Sequence, residues 1–214
     1  ECEVRMTSEV QRCAEELIDF IDAAGSPYHV VEKCNELLGP VPLFEKKGMH
    51  EGQIYCFPLY HTGTVFVAIG KNARKAPLRI ACAHTDFPCL RIKPNPVIRE
   101  HGYGKLNVEV YGGLIRNTWM DRPLSIAGAV ALRGKHPFTP KLQLVDVRRP
   151  LMIVPNLAIH MNRKVNEGVE LKPQKDLLPL FFQNGDGDED DTKKLLVLLA
   201  EELGVSAEDI LSYD

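Results

Sequence analysis

The sequence predicts an α/β fold, with an amino-terminal block of helices and strands followed by a block made mostly of strands. Three observations predict it. Apolar residues recur at helical spacing in the first 38 residues. A nearly all-apolar run, Leu78 to Ala83, reads as a strand covered on both faces. Beyond residue 91, short strand-like segments alternate with Gly- and Pro-rich turns. The first domain is placed at residues 1–90 and the second, β-rich domain at 91–214.

From Thr7 to Asp22, residues Val10, Ala14, Leu17, Ile18 and Ile21 share one helical face. Ser8 with Gln11 fits a capping box, and Gly25-Ser26-Pro27 is a stop. A second helix over His29 to Leu38 places Val30, Cys34, Leu37 and Leu38 on one side. Gln53–Tyr60 and Thr64–Gly70 read as strands joined through His61-Thr62-Gly63. Arg91 to Pro96 is basic and Pro-rich, a linker or an edge. Asn107–Tyr111, Ile126–Arg133 and Lys141–Val147 read as further strands, with turns at Gly112-Gly113 and from Gly134 to Pro140. Leu151–His160 is apolar, but Pro155 limits its regularity. Gln183 to Thr192 is an acidic loop without the ligand spacing of a calcium-binding loop. A helix over Thr192–Leu203 follows. Ser206 and Asp209 would cap one more helix, cut off at Tyr213-Asp214.

The chain has 214 residues, a net charge of -3 and 44% hydrophobic residues, enough for one large or two small cores. The balanced charge gives no reason to expect nucleic acid or an anionic membrane as partner. No apolar stretch approaches the length of a membrane span, and the charged start lacks a signal-peptide core. A cytoplasmic, reducing compartment is expected. Cys2, Cys13, Cys34, Cys56, Cys82 and Cys89 match no zinc-ribbon spacing and read as buried free thiols where they fall in apolar patterns. There is no GxSxG, P-loop or GxGxxG motif, so serine-hydrolase and nucleotide-binding functions have no support.

Three places can carry chemistry. His84 and Asp86 are two apart where the apolar run opens into a loop, and residues two apart point to one side of a strand. Two readings fit: a metal-ligating His84 oriented by Asp86, or a hydrogen-bonded histidine near a turn. His160 ends the segment Pro155-Asn156-Leu157-Ala158-Ile159-His160 and is either structural, a metal ligand, or a donor to a developing oxyanion. The run Tyr111 to Gly128 holds Gly112-Gly113, the single Trp119 as a packing anchor, and Asp121-Arg122 as a charge-assisted pair.

In order along the chain, several stretches resemble the M18 family of metallo-aminopeptidases. They are Ser26-Pro27-Tyr28-His29-Val30-Val31, His84-Thr85-Asp86 through Pro94, Tyr111-Gly112-Gly113, Thr118-Trp119-Met120-Asp121-Arg122-Pro123-Leu124-Ser125-Ile126-Ala127-Gly128, and Pro155 to Arg163. The resemblance implies a zinc-peptidase catalytic α/β domain, present in part, followed by a β-rich dimerisation domain. It implies release of N-terminal residues, acidic ones among them, from peptide substrates by a homo-oligomer with two zinc ions per active site. It matches His84 to a zinc ligand and Asp86 to the carboxylate that orients it. His160 matches a histidine that is either a zinc ligand or a group reaching the substrate in a neighbouring subunit.

The family's remaining site residues include a metal-bridging Asp, a Glu-Glu pair, a further Asp and a last His. No matching motif precedes Asp214, so the resemblance implies an N-terminal fragment inactive alone. Phe87 and Leu114-Ile115-Arg116-Asn117 also depart from the family pattern. Two other functions remain on this reading: a non-catalytic oligomerisation or regulatory module derived from such an enzyme, and a different HxD metallohydrolase with a compact site.

Overall fold

Helix α1 (Ser8–Ala23) and helix α2 (Pro27–Leu38) begin the chain in a computed structural model that describes residues 8–39, 49–73, 75–183 and 193–214. The chain divides into two compact units, Glu1–Asp86 and Phe87–Asp214.

In the first unit, α1 forms where the periodicity places it. Ser8 lies inside the helix, and the Gln11 amide donates to Glu15 at 2.9 Å rather than closing a capping box. Its apolar face is largely exposed among the described residues: Val10, Leu17, Ile18 and Ile21 are each more than half exposed. Ser26 is the N-cap of α2, with Pro27 at its first turn, where a missing N–H costs no hydrogen bond. This helix buries His29 and Val31, whereas Leu37 and Leu38 are exposed.

Strands β1 (Ile54–Leu59) and β2 (Gly63–Ala68) form an antiparallel hairpin whose three-residue loop begins at Tyr60, at φ 56°. Tyr55 and Cys56, on opposite faces of β1, are both buried. The Cys56 thiol lies 3.3 Å from the Thr64 hydroxyl and 3.7 Å from the Asn35 side-chain oxygen, which fixes α2 on the hairpin. Of the described cysteines only Cys56 is buried; Cys13 and Cys82 are exposed, against the expectation of buried thiols.

Leu78–Ala83 is not a strand. It joins no ladder, and Leu78 and Ile80 are 83% and 80% exposed. An apolar run becomes a strand only where another strand takes up its N–H and C=O groups. None among the described residues does so for this run.

The second unit is built from two antiparallel sheets. The five-stranded sheet has the order β3 (Cys89–Glu100), β4 (Tyr103–Tyr111), β9 (Leu180–Gln183), β8 (Met152–Ile153), β5 (Pro123–Leu124). The three-stranded sheet has the order β10 (Ile210–Tyr213), β6 (Ala127–His136), β7 (Thr139–Asp146). Arg91–Pro96 is thus part of an edge strand, not a linker. Its register jumps between Ile92 and Val97, where Pro94 and Pro96 have no N–H to give the ladder. The β6–β7 turn is tighter than the expected Gly134–Pro140 loop. Strand β6 runs to His136, and Gly134 is needed inside it because a Cβ there would overlap the Thr139 carbonyl oxygen.

Alternation along β4 buries Leu106 and Val108, which pack with Met152 and Leu178. A second cluster joins Val130, Leu132, Val145 and Val147 to Leu195 and Leu199 of helix α4 (Lys194–Leu203). Ile92, Ile126, Leu151 and Phe181 touch both clusters, so one core runs between the sheets. A short helix α3 (Pro173–Asp176) caps the approach to β9.

The expected final helix is a single 3-10 turn, Ala207–Asp209, where Ser206 Oγ accepts from the Glu208 N–H at 3.4 Å. The chain then enters β10, because Ile210, Leu211 and Tyr213 favour a strand and β6 offers an open edge. Gly128 permits this pairing: a Cβ there would overlap the Asp214 carbonyl oxygen. The acidic run from 184 to 192 lies outside the described residues. No helix among the described residues is long and apolar enough to cross a membrane.

Candidate functional site

His84 and Asp86 are brought together in the first unit. The carbonyl oxygen of Asp86 lies 2.5 Å from His84 Nδ1, and the Asp86 carboxylate Oδ1 lies 3.2 Å from the same nitrogen. A carbonyl oxygen only accepts, so Nδ1 carries the proton. The other ring nitrogen, Nε2, then keeps its lone pair, as metal ligation requires. The His84 side chain is 81% exposed, so this nitrogen is open to a ligand.

The segment is anchored through the intervening residue: Thr85 Oγ1 donates to the Thr62 carbonyl in the β1–β2 loop at 2.6 Å. The hairpin therefore positions the metal-ligand candidate even though Leu78–Ala83 makes no ladder. The donor set fits zinc as one imidazole ligand of a larger set. Among the described residues, no group of three His, Cys, Asp or Glu side chains could hold a metal ion.

His160 lies in the second unit, on a turn after β8. The Ala158 carbonyl accepts from the Met161 N–H at 2.8 Å and from the Asn162 N–H at 3.1 Å, and His160 sits at the crest. Its imidazole is exposed, flanked by exposed Leu157, Ile159 and Met161.

The entry of this loop is held by Asp121. Met120 bridges Val154, the Asp121 N–H donates to the Val154 carbonyl at 2.9 Å, and Asp121 Oδ1 accepts the Asn156 N–H at 2.8 Å. Asp121 adopts φ 56°, a left-handed conformation that Asp and Asn tolerate better than most residues. The expected Asp121-Arg122 pair is replaced by separate contacts: the Arg122 guanidinium donates to the Thr118 carbonyl at 3.3 Å. Trp119 is half-buried at the end of a 3-10 turn, Arg116–Trp119.

A further buried polar pair involves His29, to which the sequence analysis assigns no role. Its Nδ1 lies 2.7 Å from Ser26 Oγ, and both residues are buried. Placing Ser26 at the N-cap puts it one helical turn from His29, and that Ser-x-x-His spacing was the available signal. The Asp121–Asn156 contact spans 35 residues and left no local trace in the sequence.

Comparison with known proteins places the chain in a family. The family model described as aminopeptidase I zinc metalloprotease (M18) matches residues 20–214. A probable M18 family aminopeptidase 2 of Clostridium novyi is 40% identical over 208 residues, covering 94% of this chain and 48% of the relative. A protein of the same description from Pseudomonas fluorescens is 38% identical, covering 92% and 47%. The chain spans about half the length of these curated relatives.

Among solved structures, a chain from a cryo-EM structure of the Ape4 and Nbr1 complex matches with a TM-score of 0.86 at 27% identity, covering 100% of this chain and 45% of that one. An M18-family aminopeptidase from Thermotoga maritima shares the fold, with a TM-score of 0.76 at 22% identity, covering 98% and 48%. The match runs from within α1 to the last residue, through both units, and so the chain belongs to the M18 family of aminopeptidase I zinc metalloproteases.

Proposed function

We propose that this chain is the amino-terminal half of a zinc aminopeptidase that removes N-terminal residues from peptides and is inactive by itself. The observation that carries the proposal is the His84–Asp86 pair, in which Nδ1 is committed to Asp86 and Nε2 is left for a metal. His84 would hold one of two zinc ions, with the other ligands supplied by residues beyond this sequence. Zinc in such a site supplies a Lewis acid for the scissile carbonyl and lowers the pKa of water toward neutrality. Asp86 holds the imidazole in one tautomer and one orientation. His160, on its exposed turn, would hold the substrate carbonyl oxygen in a neighbouring subunit by donating a ring N–H.

Acidic N-terminal residues are the substrate class assigned, on the family resemblance alone. A homo-oligomer is supported by the exposed Leu157, Ile159 and Met161 around His160, and by a structural neighbour described as a dodecamer of mApe1 from S. cerevesiae. A reducing, cytoplasmic setting is supported by the unpaired thiols of Cys13, Cys34, Cys56 and Cys82 among the described residues.

The test is zinc content and aminopeptidase turnover of the full-length protein, on substrates with acidic and neutral first residues, with and without His84→Ala. Loss of zinc and turnover in the variant is expected, and near-normal turnover would overturn the assignment. A second reading, a non-catalytic assembly module, is favoured by the lack of any three-donor metal group among the described residues. Intact mass of the natural product separates the two, since a mass near 24.0 kDa leaves only the module.

A further inference from the structure

We propose that Asp121 is a positioning residue that sets the place of His160 by holding the entry of its loop. This rests on the reading that His160 acts on substrate in a neighbouring subunit. Among the described residues, no hydrogen bond or ion pair holds the His160 imidazole, so its place is set by the backbone that carries it.

That backbone has few anchors. Pro155 has no N–H, and it follows the last bridged residue, Val154. The first N–H after it, on Asn156, goes to the Asp121 carboxylate at 2.8 Å, a charge-assisted bond. The Asn156 side-chain oxygen then accepts the Leu157 N–H at 2.8 Å, and the Ala158 turn begins one residue later. Asp121 also fixes the other side of Pro155 through its own N–H on the Val154 carbonyl. One residue therefore spans the break that Pro155 makes in the loop's hydrogen bonding. Its left-handed φ is what lets the N–H and the carboxylate reach the same neighbouring segment.

The test uses the full-length enzyme. Asp121→Gly keeps the left-handed backbone and removes the acceptor. It is expected to lower kcat on the order of 10²-fold with KM little changed. Asp121→Asn, whose amide oxygen accepts the same N–H at the same φ, restores most of the rate. The double variant Asp121→Gly/His160→Ala is expected to be no slower than His160→Ala, because both lesions remove one interaction. Additive losses would overturn the proposal.

Hydrogen exchange over residues 153–161 reads the link without activity. Exchange should speed up in Asp121→Gly and stay slow in Asp121→Asn and His160→Ala. If His160→Ala keeps normal turnover, the reading of His160 fails, and exchange alone decides: unchanged exchange in Asp121→Gly overturns the positioning role. Should Asp121→Gly fail to assemble, Asn156→Pro removes the donated N–H together with the acceptor of the Leu157 N–H, and Asn156→Ala, which removes that acceptor alone, is its control: a larger loss in Asn156→Pro supports the positioning role and equal losses overturn it.

Discussion

The Tyr213 hydroxyl donates to the Lys93 carbonyl oxygen at 2.8 Å, pinning the last strand of one sheet to the proline bulge of the other. The Arg91 guanidinium reaches the same end of the unit, paired with Asp214 and lying 5.6 Å over the Tyr111 ring. Lys93 lies inside the register jump of β3, where its carbonyl is released from the ladder to accept this bond.

Burial raises the Tyr213 phenol above its ordinary value of 10.0. The folded state therefore holds this proton more tightly than the unfolded state does. Its contribution is fully present below about pH 10 and is lost as pH rises through the folded value. Urea unfolding on both sides of pH 10 should show this loss in the native sequence and a smaller one in Tyr213→Phe. At neutral pH the same variant should cost about 0.5–1.5 kcal/mol, the net worth of one hydrogen bond.

Leu195 is fully buried between α4 and the β6–β7 hairpin. Leu195→Ala should destabilise the protein by about 2–5 kcal/mol through lost burial and a residual cavity. A drop in the urea midpoint with an unchanged slope is the signature of that loss.

Asp86 offers His84 two acceptors, one from the backbone and one from the side chain. Asp86→Ala should therefore weaken zinc binding by about tenfold, the low end for removing a ligand's orienting carboxylate. His84→Ala should abolish binding at that position. Competition with a chromogenic chelator in the full-length protein measures both.

Cys82 is exposed and Cys56 buried in the same unit. In the 214-residue chain, Cys82 should react with a thiol reagent far faster than Cys56. In the full-length protein the Cys82 rate should fall, as the run 78–83 gains a covering layer. Mass-resolved labelling of the two peptides reads both rates.

Helices α1 and α2 and the β1–β2 hairpin were legible because their signals are local: a helical period, and turn residues between alternating segments. Pro27, read as part of the stop after α1, instead opens α2 two residues before the expected start at His29. Leu78–Ala83 failed for the opposite reason, since composition reports what a segment would pair with, not whether a partner is there. Ser206 starts a real turn, but the edge of β6 outweighs the short helical pattern after it. β9 was not read at all; Leu180, Phe181 and Phe182 form only four residues of strand with Gln183, too few for a periodic signal. At the site, His84 and Asp86 were legible because the pair is two residues apart. The Asp121 hold on Asn156 was not, because only the folded chain closes a separation of 35 residues.

The pairing of β10 with β6 joins Tyr213 to Val130, about eighty residues earlier in the chain. On a ribosome the amino-terminal unit can start to fold while synthesis continues. The second unit cannot follow in the same way, since β6 waits for its neighbour until Ile210–Tyr213 has left the exit tunnel. At about 5–20 residues per second, that leaves the open edge of β6 uncovered for several seconds after it emerges. This interval is where a nascent-chain chaperone would find its substrate, and where slowed translation would most raise the risk of aggregation.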